Sequence, residues 1–102
     1  MTVASVMHMV LVEWALGSPE GVGDEASRLV DTQLRHLDGV LSIHRGPSVS
    51  IEGLEGRTDW AMAILFAGPE SVEAYLPHPD HRVVADFLGA HAATVTVFDV
   101  AG

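Results

Sequence analysis

Trp60-Ala61-Met62-Ala63-Ile64-Leu65-Phe66 is the stretch on which the fold turns. Trp60, Met62, Ile64 and Phe66 recur with a period of two, and Ala61, Ala63 and Leu65 occupy the positions between them. Side chains alternate across a strand, so this one is apolar on both faces and must be covered on both. The first face is bulky enough to pack against helices. The second is flat and small enough for another sheet to approach.

Toward the N-terminus, Ser5 to Leu16 reads as a second strand of the same kind. His8, Val10, Val12 and Trp14 share one face, and Met7, Met9 and Leu11 share the other. Gly17-Ser18-Pro19 breaks it. Asp24 to Leu37 reads as a helix, with Ala26, Leu29, Val30, Leu34 and Leu37 at i, i+3, i+4 spacing. The carboxylates Glu20, Asp24 and Glu25 suit its positive N-terminal end. Asp38-Gly39 supplies a glycine for a left-handed cap. Val40 to Gly46 is a strand with fewer apolar positions, and 47–59 is a long connection.

Toward the C-terminus, Pro69 to Tyr75 is a short helix with proline at an early position. Pro77-His78-Pro79 interrupts it. A further helix runs from Asp80 to about Ala90, with Val83, Val84, Phe87 and Leu88 expected inward. Thr94 to Val100 is the last strand, with Val95 and Val97 opposite Thr96 and Phe98. No repeat or low-complexity stretch interrupts the order β-α-β-β-α-β, which is the α+β, ferredoxin-like unit. Helices then cover one sheet face. The other, carrying Met7, Met9, Leu11, Ala61, Ala63, Leu65 and Phe98, is too apolar for water. A two-fold copy applying the same face would bury it, so a homodimer through the helix-free face is expected.

Composition agrees. The 102 residues suit one domain spanning 1–102, with an ordered core of about 5–100. A chain this size buries roughly 60–70% of its unfolded surface, so a partner subunit helps. The hydrophobic fraction of 48% and mean hydropathy of +0.29 are high for such a length. No apolar run reaches the roughly 18–20 residues of a membrane span. A net charge of -9, with no lysine and five scattered arginines, argues against nucleic acid and anionic membranes. The chain has no cysteine, which excludes disulfides and thiolate metal sites. Met1 to Val6 lacks the basic region of a signal peptide, so a cytoplasmic location is expected.

The segment Tyr75 to His81 concentrates the chemistry. His81 falls in the first turn of a helix, whose dipole lowers an imidazole's pKa and favours the neutral form that a general base requires. Tyr75 ends the preceding helix, where a phenol can donate to a developing oxyanion. Val10, Val12, Trp14, Ile64, Val84, Phe87, Val95 and Val97 are expected to wall an apolar substrate pocket beside them, with His78 at its edge. The competing reading is structural. Tyr75 and His81 can satisfy one another where the helix breaks, His8 can be a core histidine on an apolar strand, and His78 can pin a turn between prolines. No metal is expected, because Pro79 distorts the spacing of His78 and His81 and no third ligand accompanies them. No cofactor is expected either, since Gly21-Val22-Gly23 is too short for a phosphate loop.

From His8 to Val100 the chain resembles the stress-responsive dimeric α/β-barrel (Dabb) family. The resemblance rests on His8, Leu37-Asp38-Gly39-Val40, Gly46 to Leu54, Phe66, and Ala74-Tyr75-Leu76-Pro77-His78-Pro79-Asp80-His81. It implies the same fold and dimer. One branch of that family, the olivetolic acid cyclases, closes a linear polyketide thioester by aldol condensation without metal or cofactor. The resemblance implies His81 as general base, Tyr75 as the group polarising the substrate carbonyl, and His8 lining the same pocket. The chain departs from that branch at Ala26, Ser27, Val30 and Ala92, where the cyclase carries large rings. A different pocket shape, and so a different substrate, is implied. The expected function is a cofactor-independent cyclase or lyase on an apolar carbonyl compound. The alternative is a stress or small-ligand-binding protein without turnover.

Overall fold

The computed structural model describes residues 4–102. The first three residues, and with them part of the expectation about a leader, lie outside it. The element order is β1 (Val6–Trp14), α1 (Val22–Gln33), β2 (Val40–Gly46), β3 (Trp60–Phe66), α2 (Pro69–Tyr75), α3 (Pro79–His91) and β4 (Ala92–Ala101). The strands form one antiparallel sheet in the order β2-β3-β1-β4, the ferredoxin-like arrangement.

Alternation sets the two faces of the central strands. Val6, His8, Val10 and Val12 of β1, and Trp60, Met62, Ile64 and Phe66 of β3, are buried under the helices. Ala26, Val30 and Leu34 meet them from the α1 side, and Val84 and Leu88 from α3. The residues between them, Met7, Met9, Leu11, Ala61, Ala63 and Leu65, lie half-buried on the helix-free face. Phe98 and Val100 of β4 share that face and are exposed. The body is only 18 Å through its thinnest axis, the depth of one sheet and one helix layer.

Several element ends differ from the sequence expectation, each for a local reason. β1 stops at Trp14 because the Ala15 amide turns to the His91 carbonyl and Leu16 swings into solvent. α1 begins two residues early, at a Gly21 N-cap whose φ of 83° is a left-handed value that glycine adopts freely. It ends at Gln33, and Leu34 and Leu37 turn instead through short backbone bonds toward Gly39 and β2. β4 runs longer than expected because β1 offers partners along its whole length, from Trp14 opposite Ala92 to Val6 opposite Ala101. Val83, expected inward on α3, is exposed. The helix turns Val84 and Leu88, four apart, to the core and leaves Val83 on its flank.

Two indoles fill the layer between α1 and the sheet. Trp60 packs beside Trp14 with ring centroids 5.9 Å apart, and its Nε1 donates to Ser27 Oγ at 3.0 Å. Gly23 of α1 lies beside both rings: a Cβ there would sit at ordinary contact distance, 3.5 Å from Trp60 and 3.8 Å from Trp14. The small residues of α1 are thus matched by large ones on the strands.

Candidate active site

α2 and α3 are one helical path broken by Pro77 and Pro79, and the break places three side chains. His78 caps α3: its backbone is extended, and its Nδ1 accepts the Asp80 amide at 3.0 Å. His81 follows in the first turn. Its Nδ1 lies 2.8 Å from the Leu76 carbonyl oxygen. A carbonyl only accepts, so Nδ1 carries the proton, and Nε2 is the bare nitrogen of the neutral ring. Tyr75, the last residue of α2, stacks at 4.4 Å from His81 between ring centroids.

His8 comes to the same place from the middle of the sheet. Its ring packs edge-on against Tyr75 at 5.8 Å and Phe66 at 5.9 Å. His8 is 4% exposed, and its Nδ1 lies 2.6 Å from Asp99 Oδ1. Asp99 stands directly opposite His8 in the β1–β4 ladder, so the pair follows from strand register. A carboxylate accepts only, so Nδ1 carries a proton toward Asp99.

A cavity of about 270 Å³ lies against these histidines. It is lined by His8, Val10, Met62, Leu76, His81, Val84, Ala85, Leu88, Val95 and Val97. Apart from the two imidazoles its walls are apolar. It opens beside β4, where Val95 and Val97 remain 43% and 55% exposed because α3 leans toward α1 and covers this edge strand little.

The structure therefore brings together His8, His81, Val10, Val84, Val95 and Val97 of the expected site, and it places the others elsewhere. Val12 and Ile64 have no exposed surface and belong to the packed core. Trp14 is engaged with Trp60, and Phe87 stacks on His91 at 4.5 Å. His78 is occupied as the α3 cap. Tyr75 lies behind the wall rather than in it. It is 3% exposed, and its hydroxyl finds no hydrogen-bond partner among the described residues. An orphaned buried hydroxyl costs about 1–3 kcal/mol. Met62, Leu76, Ala85 and Leu88 join the wall beyond the sequence expectation, and Asp99 joins His8 beyond it. The signal for Asp99 was a carboxylate on the same strand face as Val95 and Val97.

Burial is the largest influence on the state of His81. Desolvation lowers its pKa below the ordinary histidine value. The Leu76 carbonyl opposes this, and the neighbouring His8 and Arg82 add to the lowering. Burial likewise pushes the Tyr75 phenol up, so it stays protonated and able to donate. No three His, Asp or Glu side chains among the described residues gather into a metal-binding group. No helix among them is long and apolar enough to cross a membrane.

A sheet of order β2-β3-β1-β4 with its helices on one face defines the ferredoxin-like class. The fold is shared with a dimeric ferredoxin-like protein of unknown function from Thermobifida fusca, at TM-score 0.86 and 17% identity over 98% of this chain and 92% of that one. A second such protein, from Jannaschia sp., matches at TM-score 0.79 and 24% identity over 94% and 97%. A hydroxynitrile lyase from Passiflora edulis matches at TM-score 0.84 and 11% identity over 97% and 94%. Within this class the chain belongs to the stress responsive A/B barrel domain (Dabb) family, whose model matches residues 6–101. No curated protein matches its sequence.

Proposed function

We propose that this protein is a cofactor-independent cyclase or lyase that acts on a compact apolar carbonyl compound, polyketide-like or otherwise, with His81 as general base. The observation that carries the reading is the Leu76–His81 bond. It fixes the tautomer so that the bare Nε2 belongs to a ring lining an apolar cavity. A neutral, half-desolvated imidazole of this kind removes a proton next to a carbonyl. Tyr75, the one buried side-chain donor without a partner among the described residues, is the candidate for steadying the resulting enolate, once substrate or a small side-chain movement joins it to the cavity. The likeness to the olivetolic acid cyclases at Tyr75, His81 and His8, and the fold shared with a hydroxynitrile lyase, support the same class of chemistry.

The test is deuterium uptake at the central carbon of an apolar 1,3-diketone in heavy water, followed by proton NMR. The protein is expected to accelerate uptake. The rate should rise with pH through a midpoint below the ordinary histidine value and then level, because burial holds His81 neutral further into acid. The second reading, ligand binding without turnover, draws on Tyr75 lying behind the cavity wall. Tight binding of the diketone with no faster exchange would select it.

We propose also that two copies pair through the helix-free sheet face. Exposed Phe98 and Val100, the apolar rows of β1 and β3, and Val49 and Leu54 on the loop between β2 and β3 form one broad apolar surface. Similar folds are described as dimeric. Light scattering is expected to give twice the chain mass, and Leu11→Glu, which sets a charge in the middle of that face, is expected to halve it. A monomeric wild type would end the proposal.

A further inference from the structure

We infer that the loop 47–59 of each copy closes the mouth of the other copy's cavity, with Ile51 set over the opening. The inference rests on the proposed pairing of two copies and on the reading of the cavity as a binding site, but not on any turnover there.

Apolar side chains stand unburied at both edges of the sheet. Toward the β2 edge, Val49, Ile51 and Leu54 are exposed, Ile51 fully. Their loop is nonetheless held in one shape. Ser48 donates to the Glu55 carboxylate, and its Oγ accepts the Ser50 amide at 3.0 Å. Ser50 Oγ in turn accepts the Glu52 amide at 3.1 Å. These serine turns order the backbone without burying the apolar side chains. At the β4 edge, Val95, Val97 and Leu76 remain exposed around the cavity mouth. An ordered loop with its apolar residues outward, and an apolar mouth without a cover, each cost free energy in water.

Strand register puts the two at one height. Gly46 lies opposite Ala61, Ala61 opposite Leu11, and Leu11 opposite Thr96, which stands between Val95 and Val97. The root of the loop and the mouth are thus the two ends of one row across the sheet, about 14 Å or three strand spacings apart. Within one chain they do not meet, because the loop rises on the helix-free side. Val49 shares a groove there with Met9, Ala61 and Ala63, and Leu54 shares another with Leu11 and Ala61. The mouth opens on the helix side.

A second copy brings them together. The family is that of an A/B barrel, and a sheet of four strands does not close into a barrel alone. Two sheets face to face, related by a two-fold axis parallel to the strands, set β2 of each copy against β4 of the other and keep every row at its height. Each loop then rises beside the other copy's β4 at the Thr96 row. Packed sheets lie about 10 Å apart, and a loop of this length extends up to about 20 Å, so it passes the facing sheet and reaches the mouth behind it. The other two-fold, across the strands, sets β2 against β2 and keeps each loop remote from either mouth. The first arrangement is the one that gives Ile51 a wall of valines and the mouth a cover. An apolar ligand entering between α3 and β4 is then enclosed by an aliphatic side chain from the other copy.

The chain has no cysteine, so Ile51→Cys carries a single nitroxide. Spin-labelled chains without ¹⁵N are refolded together with ¹⁵N-labelled wild-type chains, so that amide broadening reports contact between copies alone. Broadening is expected to be strongest over 94–97 and at Leu76, and weak along β2. Ile51→Ser is expected to keep twice the chain mass and to bind 1-phenylbutane-1,3-dione about fivefold more weakly, the effect of uncovering part of one aliphatic side chain. Ile51 is fully exposed in its own chain, so neither substitution disturbs the fold. A dimer whose strongest broadening falls on β2, or which shows none, overturns the inference and leaves the pairing intact. Unchanged diketone affinity in Ile51→Ser overturns it as well. A monomeric wild type overturns it together with the pairing, and a wild type that binds no diketone overturns it together with the reading of the cavity as a site.

Discussion

His81→Ala is expected to lower turnover by roughly 10²–10⁴-fold, the range that one positioned base contributes. Stability should change little. The ring is half-buried, and its one hydrogen bond to the chain goes to Leu76, a net contribution of about 1 kcal/mol. The urea midpoint and the mass in solution are therefore expected to stay close to wild type. His81→Asn sharpens the test, since its amide can still donate toward the Leu76 carbonyl but cannot take up a proton near neutral pH. If the loss reflects chemistry, the asparagine variant is as inactive as the alanine one. An asparagine variant retaining near-wild-type turnover would assign His81 to the helix junction instead.

Tyr75→Phe should move two measurements in opposite directions. Its hydroxyl is buried and without a partner, so its removal is expected to raise stability, by up to about 1–3 kcal/mol in denaturant unfolding. The ring contacts with Phe66, His8 and His81 survive in phenylalanine. Turnover, by contrast, should fall roughly 10²-fold, the lower end for a lost oxyanion donor. A buried phenol kept at a cost in stability makes sense where substrate supplies its partner. A phenylalanine variant that is more stable and fully active would leave Tyr75 as packing alone.

The fold was legible because the decisive strands carry their information locally. Period-two alternation in 60–66 and in 6–14 separates the helix side from the open side without reference to anything distant. The break at Pro77 and Pro79 is likewise written in adjacent residues, and with it the placement of His81. The site was legible only in part. That Val95 and Val97 reach the cavity while Val12 and Ile64 do not depends on how far α3 leans from β4, a matter of helix packing rather than of strand pattern. The His8–Asp99 pair joins residues 91 apart and needs the β1–β4 register. Alternation put both tryptophans on the helix side, but their pairing with each other and the Trp60–Ser27 bond need the position of α1 over the sheet.

The two histidines are fastened in different ways, and this bears on how the protein comes of age. His81 is oriented by a carbonyl five residues upstream, so its aim is settled as soon as the α2–α3 junction forms. His8 is oriented by the final strand, and closing so long a segment of chain is entropically slow. A newly made chain would hold His81 aimed before it has a finished chamber. The chamber then waits on β4 docking beside β1, the pairing that sets Val95 and Val97 in its wall and fixes His8 in the same step.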